Sequence, residues 1–321
     1  MNIDKILIVL GEPYSVFSEI LFKYLKTRNY KKNKKKIIII GNLRLLINQM
    51  RKLKYKYSFN EIKNYKEAKS GKLNIINIKF KFSKDFSGIT KKSRKYIHEC
   101  FQCSLEILKE EKKAALLNGP ISKKHFFIKN KFPGVTEFLA NKSNIKNEIM
   151  LIYNNKISVS PITTHLPIKN VSKKIKKNKI IKNVQKLNKF YKDTFNKKTK
   201  FAILGLNPHC ETNHKISEEQ NEIIPAIKYL RSKKIDIKGP FSADTFFIPK
   251  NLNIFDVVVG MYHDQVLAPF KSIYNFNAIN LTVGLPFIRV SPDHGPNNEM
   301  LGKNKSDPSS LTCAMDFLNS I

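Results

Sequence analysis

Residues 256–296 read DVVVGMYHDQVLAPFKSIYNFNAINLTVGLPFIRVSPDHGP. Val257, Val258 and Val259 form an apolar, β-branched run, the mark of a buried strand. The run passes straight into Met261-Tyr262-His263-Asp264-Gln265, where an imidazole, a carboxylate and an amide stand together. Polar chemistry at the end of a buried strand is where open α/β sheets place their sites. Lys271, Asn280 and Arg289 follow, each beside apolar residues. A cation, an amide donor and a guanidinium are the groups that an anionic substrate needs. Pro292-Asp293-His294-Gly295 closes the stretch with a turn.

Outward from this segment, apolar runs alternate with helical spacing. Ile6–Leu10, Ile37–Ile40, Leu73–Phe80, Ala114–Leu117 and Lys200–Leu204 read as strands. Ser15–Lys26, Leu45–Leu53, Ser87–Glu111, Val171–Thr194 and Ser217–Ser232 read as helices, the fourth of them as a solvated lysine-rich face. Met150–Tyr153 and Ile157–Val159 suggest a hairpin, Tyr55–Lys72 is polar and irregular, and Asp307–Leu318 is a closing helix with Ser306 or Asp307 as its cap. This alternation predicts an α/β protein whose largely parallel sheet is covered on both faces. No GxGxxG follows any strand, so a nicotinamide cofactor would use a non-Rossmann site.

With 321 residues and 41% hydrophobic content the chain has material for one large domain or two ordinary ones. No apolar run approaches the roughly 18–20 residues of a membrane span, and the N-terminal apolar stretch is too short for a signal peptide. We therefore expect a cytoplasmic protein with no membrane partner. The net charge of +34 raises nucleic-acid binding as a possibility. Only six of the 59 basic residues are arginine, however, whereas nucleic-acid surfaces favour arginine for bidentate contacts. Lys, Asn and Ile share AT-rich codons, so we read the charge as compositional bias with no specific nucleic-acid role. Cys100-Phe-Gln-Cys103 lies inside a predicted helix and lacks a second ligand pair, which argues against zinc or redox use.

Three histidines end apolar runs far apart in sequence: His165 before Leu-Pro, His209 after Asn-Pro, and His263 before Asp-Gln. Three protein ligands with one open position is the pattern of a catalytic divalent site. Histidine suits zinc, while magnesium prefers oxygen. We expect zinc, with magnesium or cobalt as alternatives. Asp244 and Asp264 are candidates for orienting ligands or handling protons. His98, His125 and His214 have no comparable setting.

Several motifs carry a resemblance. MYHDQ…LAPFK followed by NLTVGLPFIR.SPDHG, Asn118-Gly-Pro-Ile-Ser-Lys123, Phe132-Pro-Gly-Val-Thr-Glu-Phe-Leu-Ala140, Thr163-Thr-His-Leu-Pro167, Gly205-Leu-Asn-Pro-His209 and Gly239-Pro-Phe-Ser-Ala-Asp244 together resemble the 4-phosphohydroxy-L-threonine dehydrogenase family of pyridoxal phosphate biosynthesis. The resemblance spans nearly the whole chain. It implies a two-domain α/β/α fold like that of isocitrate and isopropylmalate dehydrogenases. Residues 1–130 plus 283–321 would form a terminal domain and 131–282 a central dimerisation domain, with the active-site cleft between them. The resemblance also implies a homodimer with shared active sites, the metal being held by His165, His209 and a His263 supplied across the interface. Thr136, Lys271, Asn280 and Arg289 would hold substrate, with Asp244, Asp264 and Lys271 in catalysis. Asp293, His294, Gly295 and Gly302 would meet NAD or NADP. The reaction implied is oxidation of the phosphorylated hydroxy amino acid, followed by decarboxylation to 3-amino-2-oxopropyl phosphate.

Departures from the family pattern keep alternatives open. Gly11-Glu-Pro-Tyr-Ser-Val-Phe-Ser-Glu19 lacks two of the family's turn glycines, and the loop after Cys210 diverges. Val135 stands where the family has a histidine, and valine can neither donate nor accept a hydrogen bond. The alternatives are a dehydrogenase of another 4-phosphorylated hydroxy acid, such as a threonate or erythronate phosphate, and a non-catalytic polyanion-binding relative.

Overall fold

A computed structural model of the chain describes residues 2–127, 132, 134–210, 217–275 and 277–321. Pro133 and the 211–216 stretch with His214, both singled out in the sequence, lie outside them. The elements begin with β1 (Lys5–Val9), α1 (Phe17–Leu25), α2 (Arg28–Lys31), β2 (Lys36–Gly41), α3 (Leu43–Lys52), β3 (Phe59–Ile62), β4 (Leu73–Asn77), α4 (Arg94–Glu110), β5 (Ala114–Asn118), α5 (Lys123–Phe126) and α6 (Val135–Lys142). They continue with β6 (Ile149–Tyr153), β7 (Ser158–Thr163), α7 (Val171–Lys174), α8 (Lys177–Phe195), β8 (Lys200–Leu204), α9 (Ile224–Ser232), β9 (Asp236–Phe241), α10 (Ala243–Phe246), α11 (Pro249–Leu252), β10 (Val257–Tyr262), α12 (His263–Tyr274) and β11 (Ile279–Val283). β12 (Arg289–Pro292) and α13 (Ser309–Ser320) follow.

Two compact units result, Met1–Asn144 with Leu285–Ile321, and Ile145–Gly284. The first break falls at 144, later than the 130 expected from sequence. The reason is α6, which buries Phe138 and Leu139 in the same apolar cluster as Phe101 and Phe126. Thr136 therefore belongs to the first unit, not to the central one.

In the first unit the strands run in the order β3-β4-β2-β1-β5-β12. Every pairing is parallel. Successive side chains of a strand face opposite sides, yet Ile6, Leu7, Ile8 and Val9 are all fully buried. Both faces of this sheet are therefore covered. Leu7, Val9, Ile38 and Ile40 pack with Ile97, Cys100 and Phe101 of α4, while α3 contacts β4 and α13 contacts β12. Cys100 is wholly enclosed, and burial pushes the thiols of Cys100 and Cys103 upward, so the CxxC holds inert thiols on a helix. β3 was not expected. Its Phe-Asn-Glu-Ile sequence is half polar, which an edge strand with one neighbour tolerates.

In the second unit the order is β11-β6-β7-β10-β8-β9, with β6 antiparallel to both neighbours and the other pairings parallel. Val159, Ala202 and Val258 pack with Val266, Leu267 and Phe270 of α12. The lysine-rich stretch is broken in two at Ile175–Lys176, and it is not simply a solvated face. Ile180, Val184, Leu187 and Tyr191 of α8, spaced at intervals of about one turn, form a buried stripe beneath the lysines. The closing helix starts at Ser309, with Asp307 accepting the Ser309 amide at 2.8 Å.

Candidate functional site

The second unit gathers three strand ends. β7, β10 and β8 are adjacent and parallel, so their C-terminal ends emerge together. Two buried side chains tie them. Gln265, on the first turn of α12, accepts the Met261 amide at 2.6 Å and donates to the Gly205 carbonyl at 2.7 Å. Thr163 donates its hydroxyl to the Met261 carbonyl at 2.7 Å. The clamp needs close backbone approach: a Cβ on Gly260 would lie 2.4 Å from Val266 Cγ1 and 2.9 Å from Gln265 Oε1.

These ends carry the three histidines. His165 follows β7, His263 opens α12 directly after β10, and His209 follows β8 through Gly205-Leu-Asn-Pro. The His165 and His263 rings stand 5.9 Å apart, centroid to centroid, within one chain. His263 Nδ1 lies 2.6 Å from Asp264 Oδ1. His209 sits at φ +57, a left-handed conformation unusual for a residue with a side chain, and its Nδ1 is 3.9 Å from Asp244 Oδ2. The Ser242 hydroxyl, donating at 2.6 Å, then the Thr245 backbone amide and the neighbouring His209 hold the Asp244 carboxyl below its ordinary range. Asp264 thus sits where it can fix the His263 tautomer, while Asp244, at 3.9 Å, is a charge neighbour of His209 beyond hydrogen-bond reach. Among the described residues, no three ligating groups of one chain close around a single point.

Behind His209 lies a device the sequence reading missed. Glu219, fully buried in a π-helical turn (Glu219–Ile223), accepts the amides of Leu206 at 2.6 Å and Asn207 at 2.9 Å, and the Asn207 side chain at 2.8 Å. It shapes the turn that presents His209. In sequence it is one of several helical glutamates and carries no separate signal. Lys271 lies on α12 two turns after His263 and is exposed. Asn280 lies in β11 with its Oδ1 buried and meeting no donor among the described residues.

The first unit holds an enclosed cation. Arg289 opens β12 and is 3% exposed. Its Nε donates to Asn118 Oδ1 at 2.8 Å, and its Nη1 reaches Thr136 Oγ1 at 3.5 Å, the long limit of a hydrogen bond. Burial pushes the guanidinium down to about 10, and the nearby Glu137 carboxylate opposes that only in part. Arg289 therefore remains a cation at neutral pH. Asn118 and Glu137 join the predicted Arg289 and Thr136. Val135 opens α6 and packs half-buried against the apolar cluster.

The 293–302 stretch belongs to the same unit. The Asp293 amide donates to Ser310 Oγ at 2.7 Å. The His294 ring lies 6.3 Å from that of Phe17, and burial pushes it below the ordinary histidine range, so it is neutral at pH 7. Gly302 has φ +73 and lies over Phe86, where a Cβ would approach the ring to 3.2 Å; only glycine fits comfortably. Gly295 has open space around it.

Residues 33–318 match the family described as pyridoxal phosphate biosynthetic protein PdxA. The chain belongs to this family. It is 38% identical to the 4-hydroxythreonine-4-phosphate dehydrogenase of Sulfurihydrogenibium sp. (strain YO3AOP1) over 317 residues, covering 98% of this chain and 97% of that protein. It is 33% identical to the enzyme of that name from Aquifex aeolicus, covering 99% and 98%. The crystal structure of the Klebsiella pneumoniae 4-hydroxythreonine-4-phosphate dehydrogenase aligns with a TM-score of 0.84 at 24% identity, covering 98% of each chain, a likeness of fold. PdxA membership places the strand-end histidines and the buried arginine in a biosynthetic family rather than in a nucleic-acid-binding one.

Proposed function

We propose that the chain oxidises 4-phosphohydroxy-L-threonine with NAD or NADP and yields 3-amino-2-oxopropyl phosphate and CO2, a step toward pyridoxal 5'-phosphate. The observation that carries this reading, beside family membership, is Arg289: a buried guanidinium already oriented by Asn118 and Thr136 is built to receive an anion. Lys271 and Asn280 would hold the substrate's other charged and polar groups. Bound by His165, His209 and the partner's His263, a divalent ion would supply Lewis acidity at the substrate hydroxyl and at the ketone formed from it. The donor set fits such an ion, since all three groups are imidazoles and His263 has a carboxylate, Asp264, at 2.6 Å that can orient it. Asp264 or Asp244 would take up the hydroxyl proton as the C3 hydride passes to the nicotinamide. Asp293, His294, Gly295 and Gly302 would contact the dinucleotide.

A second copy of the chain is part of this reading. Ile168, three residues from His165, is 71% exposed, and Leu166, Ile248 and Ile273 of the same unit are also open to solvent. Leu166 and Ile168, the exposed aliphatic side chains that flank His165, favour a covered, dimeric state. No helix among the described residues is long and apolar enough to cross a membrane, and we propose a cytoplasmic location.

Val135 favours one second reading, oxidation of another 4-phosphorylated hydroxy acid. Losing a hydrogen bond to a charged group costs about 1.5–3 kcal/mol, roughly 10- to 150-fold in binding. Val135→His should therefore raise kcat/KM for 4-phosphohydroxy-L-threonine, less whatever is lost in packing against the apolar cluster. Steady-state kinetics of both proteins on that substrate and on phosphorylated threonate decide the matter. A poorer variant, with wild type turning over the threonate well, would replace the first reading by the second.

A further inference from the structure

We propose that Glu19 and Lys23, one turn apart on α1, are positioning residues that hold the 293–306 segment in its dinucleotide-receiving shape. This inference rests on the reading that Asp293, His294, Gly295 and Gly302 meet the cofactor. Glu19 is 1% exposed, and its carboxylate accepts the backbone amides of Ser306 at 2.6 Å and Asn304 at 3.0 Å. Lys23 Nζ lies 3.0 Å from Glu19 Oε1 and donates to the carbonyls of the same two residues, Ser306 at 2.6 Å and Asn304 at 3.1 Å. The carboxylate takes the amides and the ammonium takes the carbonyls, so one ion pair grips both edges of the segment.

The segment needs an external grip. Gly302 and Asn304 both have positive φ, at +73 and +55, and no strand or long helix runs through residues 293–306. Tyr55 adds a third hold, donating its hydroxyl to Asn304 Oδ1 at 2.9 Å. The same helix fixes the other end of the stretch, because the Val16 amide at its N-terminus donates to the Pro296 carbonyl at 3.1 Å. α1 thus spans the segment as a brace. Glu19 and Lys23 lie more than 280 residues from their partners in sequence, which is why neither stood out as a site residue.

The test uses Glu19→Gln, which keeps the volume but can accept only one of the two amides well, and Lys23→Met, which frees the two carbonyls at a partly exposed position. NADH and NADPH binding is measured by fluorescence titration, alongside steady-state kinetics and amide hydrogen exchange. Both variants should weaken dinucleotide binding and raise its KM by about tenfold. The kcat at saturating dinucleotide and the KM for the phosphorylated substrate should stay within about twofold of wild type, and exchange should quicken at 304–306. Wild-type dinucleotide affinity in a folded Lys23→Met protein would overturn the inference, as would equal losses in every kinetic parameter. Failure of the wild type itself to bind either dinucleotide would instead overturn the cofactor reading on which the inference stands.

Discussion

Arg289→Met should lower kcat/KM for 4-phosphohydroxy-L-threonine by roughly 30- to 5,000-fold. Truncating one member of a buried, hydrogen-bonded charge pair costs about 2–5 kcal/mol, and each 1.4 kcal/mol is a factor of ten. The upper part of that range applies because Arg289 is enclosed and already oriented through Asn118. The fold should survive. Losing the guanidinium leaves the Asn118 carbonyl short of a donor, at about 1–3 kcal/mol, but it also removes a buried charge that burial itself disfavours. Methionine keeps most of the stem's apolar contact. Thermal unfolding would check the stability and initial-rate kinetics the activity. Arg289→Lys should recover only part, because an ammonium cannot bridge Asn118 and an anion as a planar fork does. Activity within about threefold of wild type in Arg289→Met would remove this residue from the substrate site.

The second large effect concerns metal. His209→Ala should strip the bound divalent ion and lower kcat by about three orders of magnitude. Removing a group that merely orients a ligand typically costs 10- to 100-fold in metal affinity, and a direct ligand should cost more. The Lewis acidity lost with the ion is worth several kcal/mol of transition-state stabilisation. The substitution is a clean probe, because the His209 side chain is 79% exposed. The thermal midpoint of the metal-free protein should therefore match that of metal-free wild type. Elemental analysis after gel filtration gives the occupancy. Stoichiometric metal retained by His209→Ala would end the three-histidine proposal.

What could be read in the sequence was whatever depends on local contrast. An apolar run broken by a polar cluster marks a buried strand reaching its end, so His165, His209 and His263 stood out before any geometry was known. Arg289 stood out because its guanidinium is set beside apolar residues in the same stretch as Lys271 and Asn280, the groups an anionic substrate needs. What could not be read depends on contacts that sequence spacing does not show. Asn118 meets Arg289 across 171 positions, and Gln265 meets Gly205 across 60. Glu219 looks like any helical glutamate until its buried carboxylate is seen under the His209 turn. β3 was missed because an edge strand needs little apolar content, and the unit boundary was placed too early because the apolar face of α6 gives no sign of which core it joins.

The central claim is that this chain performs an oxidation coupled to decarboxylation on a phosphorylated hydroxy amino acid. The most direct measurement follows reduced dinucleotide and released CO2 together, from purified, zinc-loaded protein given 4-phosphohydroxy-L-threonine and NAD or NADP. The account predicts one CO2 for each reduced dinucleotide, with both signals abolished by a chelator. Neither signal from 4-phosphohydroxy-L-threonine, in a folded protein with full metal occupancy, would contradict it.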